Sequence, residues 1–438
     1  MKLNFKLLCS ILALSFVLVG CNENDESGEI NALTKSIDEQ AALIGEQSKS
    51  IDELIKTIEE LEQAINDSEE PVDTTPVRKP ANAVVQTKSP DNSSSEVAFL
   101  DPALESVTSS YYVKSKSDYS VQTYMSEVYH IGRWTIDTIG KYDANQPADQ
   151  VWQFTTQDSG DTESSNPYAL VFASAEKAYV IRYGSGKVWI VNPKATTATD
   201  FKTGELDLSS YVENNSSGTP RPSAATIHGD KLFIAMQRLD DAWAAQTAYV
   251  AVFDVNTDTE IETNADDTDS VKGVPLTGFN PLEDSVTAYG SEVYITSRNS
   301  YSSTDISLSK IEAINVNDYS LREVLSADDI ANNISAVIRG SVIVNNNKGY
   351  FFTDTGYQKP NSLYEFSPTT GIISEVNVAN TGTENISYIT LDNADFLWVS
   401  VANPANPGVE IIDTETNRLY INRLSTVLNP GTVKFIQE

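Results

Sequence analysis

An aromatic residue just after a turn carrying Glu or Lys recurs along this chain. It is Tyr129 in Glu-Val-Tyr, Tyr179 in Lys-Ala-Tyr, Phe233 in Lys-Leu-Phe, Tyr294 in Glu-Val-Tyr, Tyr350 in Lys-Gly-Tyr and, more loosely, Trp398 in Phe-Leu-Trp. The successive gaps are 50, 54, 61, 56 and 48 residues. That period belongs to one four-stranded blade of a β-propeller, with loops taking up the differences. The copy around Tyr294 is the clearest. Val286 to Ala288, Val293 to Thr296, Lys310 to Val316 and Leu321 to Val324 read as strands, with turns at Gly290-Ser291 and Asn317-Asp318. Four short strands cannot bury both faces alone, so each unit requires neighbours of its own kind.

The repeats place an all-β propeller over residues 96–438. Innermost strands are expected at Tyr119–Met125, Ala169–Ala173, Ala224–Ile227, Val286–Tyr289, Val342–Asn345 and Ile386–Leu391. Thr432–Gln437 makes a seventh whose blade must be completed from elsewhere, and Val97–Leu100 and Tyr111–Lys116 are available. Closing the ring with both chain ends leaves no open sheet edge. Seven blades are therefore expected, with six as the alternative.

Residues 30–66 read differently. Ile30, Ile37, Ile44, Ile51, Ile58 and Ile65 repeat every seven residues, with Leu33, Gln40, Gln47, Leu54 and Leu61 at the intervening d positions. This is the pattern of an α-helical coiled-coil stalk, roughly 54 Å long at about 1.5 Å per residue. Ile at a with Leu at d suits two strands, whereas Ala41, Leu43, Ile55 and Ala64 widen the apolar face towards three; a homotrimer is expected over a dimer. The alternative is one amphipathic helix packed on the propeller. Residues 67–95, acidic and carrying Pro71, Pro76, Pro80 and Pro90, read as a disordered linker.

Lys2 and Lys6 precede an apolar run from Leu7 to Val19, too short to span a bilayer as a free helix and suited to a secretory signal over residues 1–20. The run ends in Leu18-Val19-Gly20-Cys21, which resembles the lipobox of bacterial lipoprotein precursors. The resemblance implies a diacylglyceryl thioether on Cys21, residues 21–29 as a lipidated tether, and membrane lipid as a partner. Residue 22 is Asn rather than the Asp of the inner-membrane retention signal, which implies the outer membrane, on a face the sequence leaves open. With Cys9 in the signal and Cys21 lipidated, no thiol remains for a disulfide, and no cofactor or metal is expected. Lys and Arg number 30 against 62 Asp and Glu; without Lys2 and Lys6 the balance is 28 against 62. Such a surface repels nucleic acid.

Val409-Glu410-Ile411-Ile412-Asp413-Thr414-Glu415-Thr416-Asn417-Arg418-Leu419 is similar to the repeat of YVTN-type surface propellers. Val250 to Thr259 is similar too, and Leu363 to Gly371 more loosely. Asp and Thr side chains can satisfy turn donors there, and Asn or Gly accepts positive φ. The likeness implies fold and surface location; that family has no single activity to transfer.

Reading each second strand to its end gives Arg133, Arg182, Arg238 and Arg298, and the connections between blades add Arg221 and Arg339. Six of the ten arginines thus fall on one expected face of an acidic protein. Trp134, Tyr183, Trp243, Tyr301 and Tyr357 accompany them. Guanidinium forks with flat rings suit an anionic, planar or sugar-like ligand such as a uronate glycan, a ferric catecholate siderophore or an acidic peptide. The bland reading is that each Arg answers a nearby acid within an ordinary blade. Elsewhere, Asp254-x-Asn256-x-Asp258-x-Glu260 has Thr259 where a calcium loop has Gly and Ala265 at position twelve, so a solvated turn is the better reading. His130 and His228 stand alone. A binding module is therefore the first functional reading, a surface enzyme acting on an anionic polysaccharide the second, and a scaffold docking on an outer-membrane protein the third.

Overall fold

The structure is a computed structural model describing residues 26–67, 78–213, 218–264, 271–299, 306, 309–334, 336–376 and 382–437. The signal-like segment, Cys21, the 68–77 stretch of the expected linker, Ala265 and Tyr301 lie outside the described residues. The chain divides into two units, Met1–Val77 and Arg78–Glu438.

In the first unit a single helix, α1, covers Glu26–Asp67. It contains no proline, and long straight-chain residues with good helix propensity dominate it. Lys56 and Glu60 pair one turn apart at 3.7 Å. The heptad apolar residues Ile44, Ile51, Leu54, Ile58 and Leu61 are all half exposed or more on the single chain. Among the described residues no helix is long and apolar enough to cross a membrane.

The second unit is a seven-bladed β-propeller of seven antiparallel sheets. Blade 1 runs through Tyr119–Tyr124, Glu127–Gly132, Thr138–Asp143 and Gln146–Thr155. The innermost strands of blades 2 to 6 are Pro167–Ser174, Pro222–His228, Pro281–Tyr289, Val337–Asn345 and Ile386–Leu391. Blade 3 carries one extra edge strand, Val274–Phe279, paired with Thr247–Asp254. Blade 7 takes its innermost strand, Asn429–Phe435, from the C-terminal side, and Ala83–Lys88, Ser95–Asp101 and Ser106–Lys114 from the N-terminal side.

Blade 7 corrects the expected linker. Ala83–Lys88 is a central strand, paired with Phe435–Asn429 on one side and Leu100–Ser95 on the other. Val84 and Val85 are fully buried, because a strand covered on both faces needs no polar alternation. Prolines on either side and a polar surround hid that short apolar run. The propeller therefore begins near residue 78 rather than 96.

The recurring aromatics anchor the blades. Tyr129, Tyr179, Tyr294, Tyr350 and Trp398 are at most 1% exposed, and each sends its polar tip to a partner at a turn or at the start of its own strand. Tyr129 donates to Glu127, Tyr294 to Glu292, Tyr179 to Asp258 and Trp398 to Asp392. A ring that fills the core while its tip reaches a partner is the economical solution for a buried tyrosine. The Asp413–Asn417 turn behaves as its chemistry requires: Asp413 accepts from Glu415 N and Thr416 Oγ1, and Asn417 takes φ +56°. Asp254 likewise accepts from Asn256 N and Thr257 N.

Seven apolar clusters hold the ring, one between each pair of neighbouring blades. Six contain eleven or twelve buried apolar residues. The seam between blades 7 and 1 has five: Val84, Val97, Val121, Val128 and Tyr142. Aromatic and polar contacts supplement it. Tyr112 stacks on Tyr142 at 3.7 Å, and His130 stacks on Tyr119 and meets Gln86 of blade 7 at 3.0 Å. Burial drives the His130 pKa down to about 3, so it packs as a neutral ring.

Candidate functional site

At the axis, on the face where the second strands end, the propeller opens into a cup of about 320 Å³. It is lined from blades 1, 4, 5, 6 and 7. One irregularity of the strands contributes to its lining. In blades 2, 3, 5 and 6 the innermost strand makes a small bulge at its start, two residues stepping past one. In blade 4 the register jumps from Pro281 opposite Ser297 to Val286 opposite Ile295, five residues against two. The extra residues form a projecting bulge, with Asp284 in the left-handed region at φ +59°, a conformation that Asp tolerates better than most residues.

The bulge puts two acids into the channel. Glu283 pairs with Arg133 of blade 1, and Asp284 meets Lys434 of blade 7 at 3.8 Å. In a ring of seven, the seam between blades 7 and 1 stands opposite blade 4. The bulge thus reaches across the axis to both sides of the weakest apolar interface. Arg133 also bonds Asp118 at 2.8 Å and lies over Tyr168 at 4.5 Å. Lys434 donates to Tyr388 Oη at 3.3 Å.

Neighbouring carboxylates are tuned apart. For Glu283, burial alone would raise the pKa, but Arg133, with Arg339 and Lys88, brings it below the ordinary carboxylate range. For Asp284, burial wins: it raises the pKa against the pull of Lys434, and Glu283 adds repulsion. Asp284 keeps 40% of its side-chain surface exposed, since it faces the open cup while protein encircles the channel. Burial likewise raises the Tyr388 phenol, with Asp284 adding to it.

Elsewhere on the wall, Asp354 holds two guanidiniums. Arg298 approaches at 2.7 Å and Arg339 at 3.6 Å. Asp354 and Arg298 are almost enclosed, whereas 45% of the Arg339 side chain is exposed. At this point of the wall one carboxylate faces two cations; over the whole lining Lys88, Arg133, Arg298 and Arg339 stand against Asp118, Glu283, Asp284 and Asp354, so the charges are segregated rather than in excess. Asn92 of the blade 7 loop donates to Tyr357 Oη at 2.8 Å, and Gln358 donates to Pro90 O, joining that loop to blade 5 at the mouth.

Of the arginines singled out in sequence, Arg133, Arg298 and Arg339 share this cup; the others do not line it. Arg182 is 1% exposed, bonded to Asp158 and Asp161 and stacked over Trp189. Arg238 donates to Tyr211 O and Thr247 O and pairs with Glu213. Arg221 lies over Trp243 at 4.3 Å. Tyr183 is buried, its hydroxyl 2.8 Å from Gln237 Oε1, and Trp134 is 65% exposed outside the cup. The six arginines expected on one face thus separate: Arg133, Arg298 and Arg339 line the cup, Arg221 joins Arg133 in a second feature, and Arg182 and Arg238 are paired with acids away from both. Besides the cup, a stacked ladder of Arg133, Tyr168, Tyr183, Arg221 and Trp243 runs over blades 1 to 3.

Sequence reasoning passed over Glu283, Asp284, Asp354, Tyr388, Lys434 and Lys88. The Pro-Leu-Glu-Asp-Ser stretch before Val286 was the available signal, since two acids there break the apolar start of an innermost strand.

These features define a seven-bladed β-propeller with a closed-in, charge-patterned axial cup. The chain is similar to a putative 6-phosphogluconolactonase from Bacteroides uniformis, at 11% identity and a TM-score of 0.54 over 82% of this chain and 100% of that one. It is also similar to a protein from Lactobacillus plantarum, at 14% identity and a TM-score of 0.55 over 82% and 99%. At such identities the likeness speaks for the fold alone. No protein-family model matches the chain, and no curated protein matches it.

Proposed function

We propose that the propeller is a binding module that captures an anionic ligand, an acidic glycan or a siderophore-like molecule, in its axial cup. The observation that carries this reading is the sharing of Asp354 by Arg298 and Arg339, which leaves guanidinium donors at an accessible wall of an otherwise acidic protein. Calorimetric titration with uronate oligomers and ferric catecholates tests it. Arg339→Ala is expected to weaken capture about tenfold, the worth of one charge-assisted contact. Equal binding by both forms would remove the cup from the account.

The module is anchored through acylated Cys21 at the outer membrane and self-associates through residues 30–65 as a trimer. The lipobox-like Leu18-Val19-Gly20-Cys21 supports the first statement, and the half-exposed heptad seam of α1 supports the second. Metabolic labelling with a radioactive fatty acid tests the anchor, and Cys21→Ser should abolish incorporation. A partner protein of the outer membrane would dock on the same rim.

A second reading, a surface enzyme cleaving an anionic polysaccharide, draws on Glu283 and Asp284. Adjacent carboxylates whose acidities are pushed apart are a common acid–base arrangement. New reducing ends or unsaturated products after incubation with uronate polymers would favour it over simple capture.

A further inference from the structure

The cup has two chemically different walls. On one, Asp354 is outnumbered by Arg298 and Arg339. On the other, the blade 4 bulge presents Asp284 beside Lys434 and Tyr388. The carboxylates of this site differ in how far they are already engaged. Glu283 and Asp118 are bound by Arg133, and Asp354 by two guanidiniums. Among the described residues Asp284 meets Lys434 Nζ at 3.8 Å, beyond hydrogen-bond length, so its oxygens keep acceptor capacity towards the cup. A backbone bulge with a left-handed residue is an irregularity that persists when surroundings over-determine it. Here it places this one under-engaged carboxylate in the cavity.

Resting on the reading of the cup as an anion-binding site, we infer that its ligand is a hydroxy acid of the sugar series, a uronic acid unit. Its carboxylate sits against Arg298 and Arg339, and its ring hydroxyls donate to Asp284. A carboxylate accepts two neighbouring hydroxyls in the same bidentate manner that a guanidinium donates to a carboxylate. An anion without hydroxyls satisfies one wall and leaves Asp284 facing it as a like charge, which is a mechanism of rejection as much as of binding. Tyr119, Tyr357 and Tyr388 line the same space and supply aromatic area for a sugar ring to pack on. A cup of about 320 Å³ stands at the small end of ligand sites, which suits one or two sugar rings better than a bulky tris-catecholate. Asp284 is then the specificity-determining residue.

Calorimetry on the full chain in detergent tests this with three probes: trigalacturonate, its fully methyl-esterified form, and a tricarboxylate lacking hydroxyls. The wild-type protein should bind trigalacturonate roughly ten- to a hundredfold more tightly than either other probe, from one or two hydrogen bonds to a charged group. Asp284→Asn should bring trigalacturonate and the plain tricarboxylate to within about threefold of each other by removing the like-charge rejection and weakening hydroxyl acceptance. Equal wild-type affinity for the two acids, or undiminished discrimination in Asp284→Asn, overturns the uronate assignment while the anion-binding cup stands. Tightest binding of the methyl ester, or no binding of any acid, overturns the cup itself. The wild-type series decides the ligand class even where the variant folds poorly.

Discussion

Asp354→Asn separates a functional cup from a structural one, because the two predict different directions. Asp354 is 11% exposed and bonds Arg298, itself 10% exposed, at 2.7 Å. Breaking an enclosed ion pair by removing one member costs about 3–5 kcal/mol. Here the stranded Arg298 stands beside an open cavity and Arg339 is nearly half exposed, so about 2 kcal/mol is the better expectation. In a unit of this size that lowers Tm by about 2–5 °C. Binding should move the other way. A ligand carboxylate held by the same guanidiniums lies roughly 6 Å from Asp354, where a like charge costs about 2.8 kcal/mol at an effective dielectric near 20. Salt at about 0.15 M screens that to roughly 1 kcal/mol, so Asp354→Asn should bind trigalacturonate about fivefold more tightly. Thermal melts and calorimetry on the same preparation read both numbers. A less stable variant with unchanged or weaker binding would refute the reasoning, since Arg298 and Arg339 would then serve the fold alone.

Deleting residues 78–94 removes the second strand of blade 7, and circular dichroism should show loss of the cooperative melt. Asp392 accepts from Ala81 N, Ala394 N, Phe396 N and the Trp398 indole; Asp392→Ala should therefore destabilise by about 3 kcal/mol in denaturant titration. Glu283 and Asp284 should respond to pH with opposite signs. Glu283, held below the ordinary carboxylate value near 4.3, adds stability that is present at neutral pH and lost as pH falls through its lowered value. Glu283→Gln should thus be costly at pH 7 and less so in acid. Asp284, raised by burial, is unfavourable as an anion at neutral pH, and that penalty fades as pH falls through its raised value. Asp284→Asn should be neutral or stabilising at pH 7, and melts between about pH 2 and 8 that show two shifts of the same sign would contradict this. In sedimentation equilibrium the full chain in detergent should run as a trimer, and Ile51→Asp, which buries a charge in each seam, should run as a monomer.

The blades were legible because their signal is local. A buried aromatic after a tight turn, as at Tyr294, needs only its own strand pair to be recognised, and the six internal repeats appear where their period puts them. The seventh was legible in part: Thr432–Gln437 was placed as innermost, but its neighbour Ala83–Lys88 was not. One of its two partners lies some 350 residues away, and its six residues sit among prolines that read as linker. The cup was legible only as residue types. Arg133 and Arg298 follow the ends of equivalent second strands, yet Arg182 ends one too, and Arg339 lies near the start of an innermost strand; Arg182 is taken out of the cup by Asp158 and Asp161 of the loop that leads into its blade. The blade 4 bulge left almost no trace, because bulges are counted against a partner strand and alternation alone does not reveal them.

The most direct measurement is a crystal structure of the full chain soaked with trigalacturonate. The account predicts a uronate carboxylate bonded to the guanidiniums of Arg298 and Arg339, with ring hydroxyls within about 3 Å of Asp284. Electron density for the sugar on the Arg221–Trp243 rim, with the cup empty at saturating ligand, would contradict it.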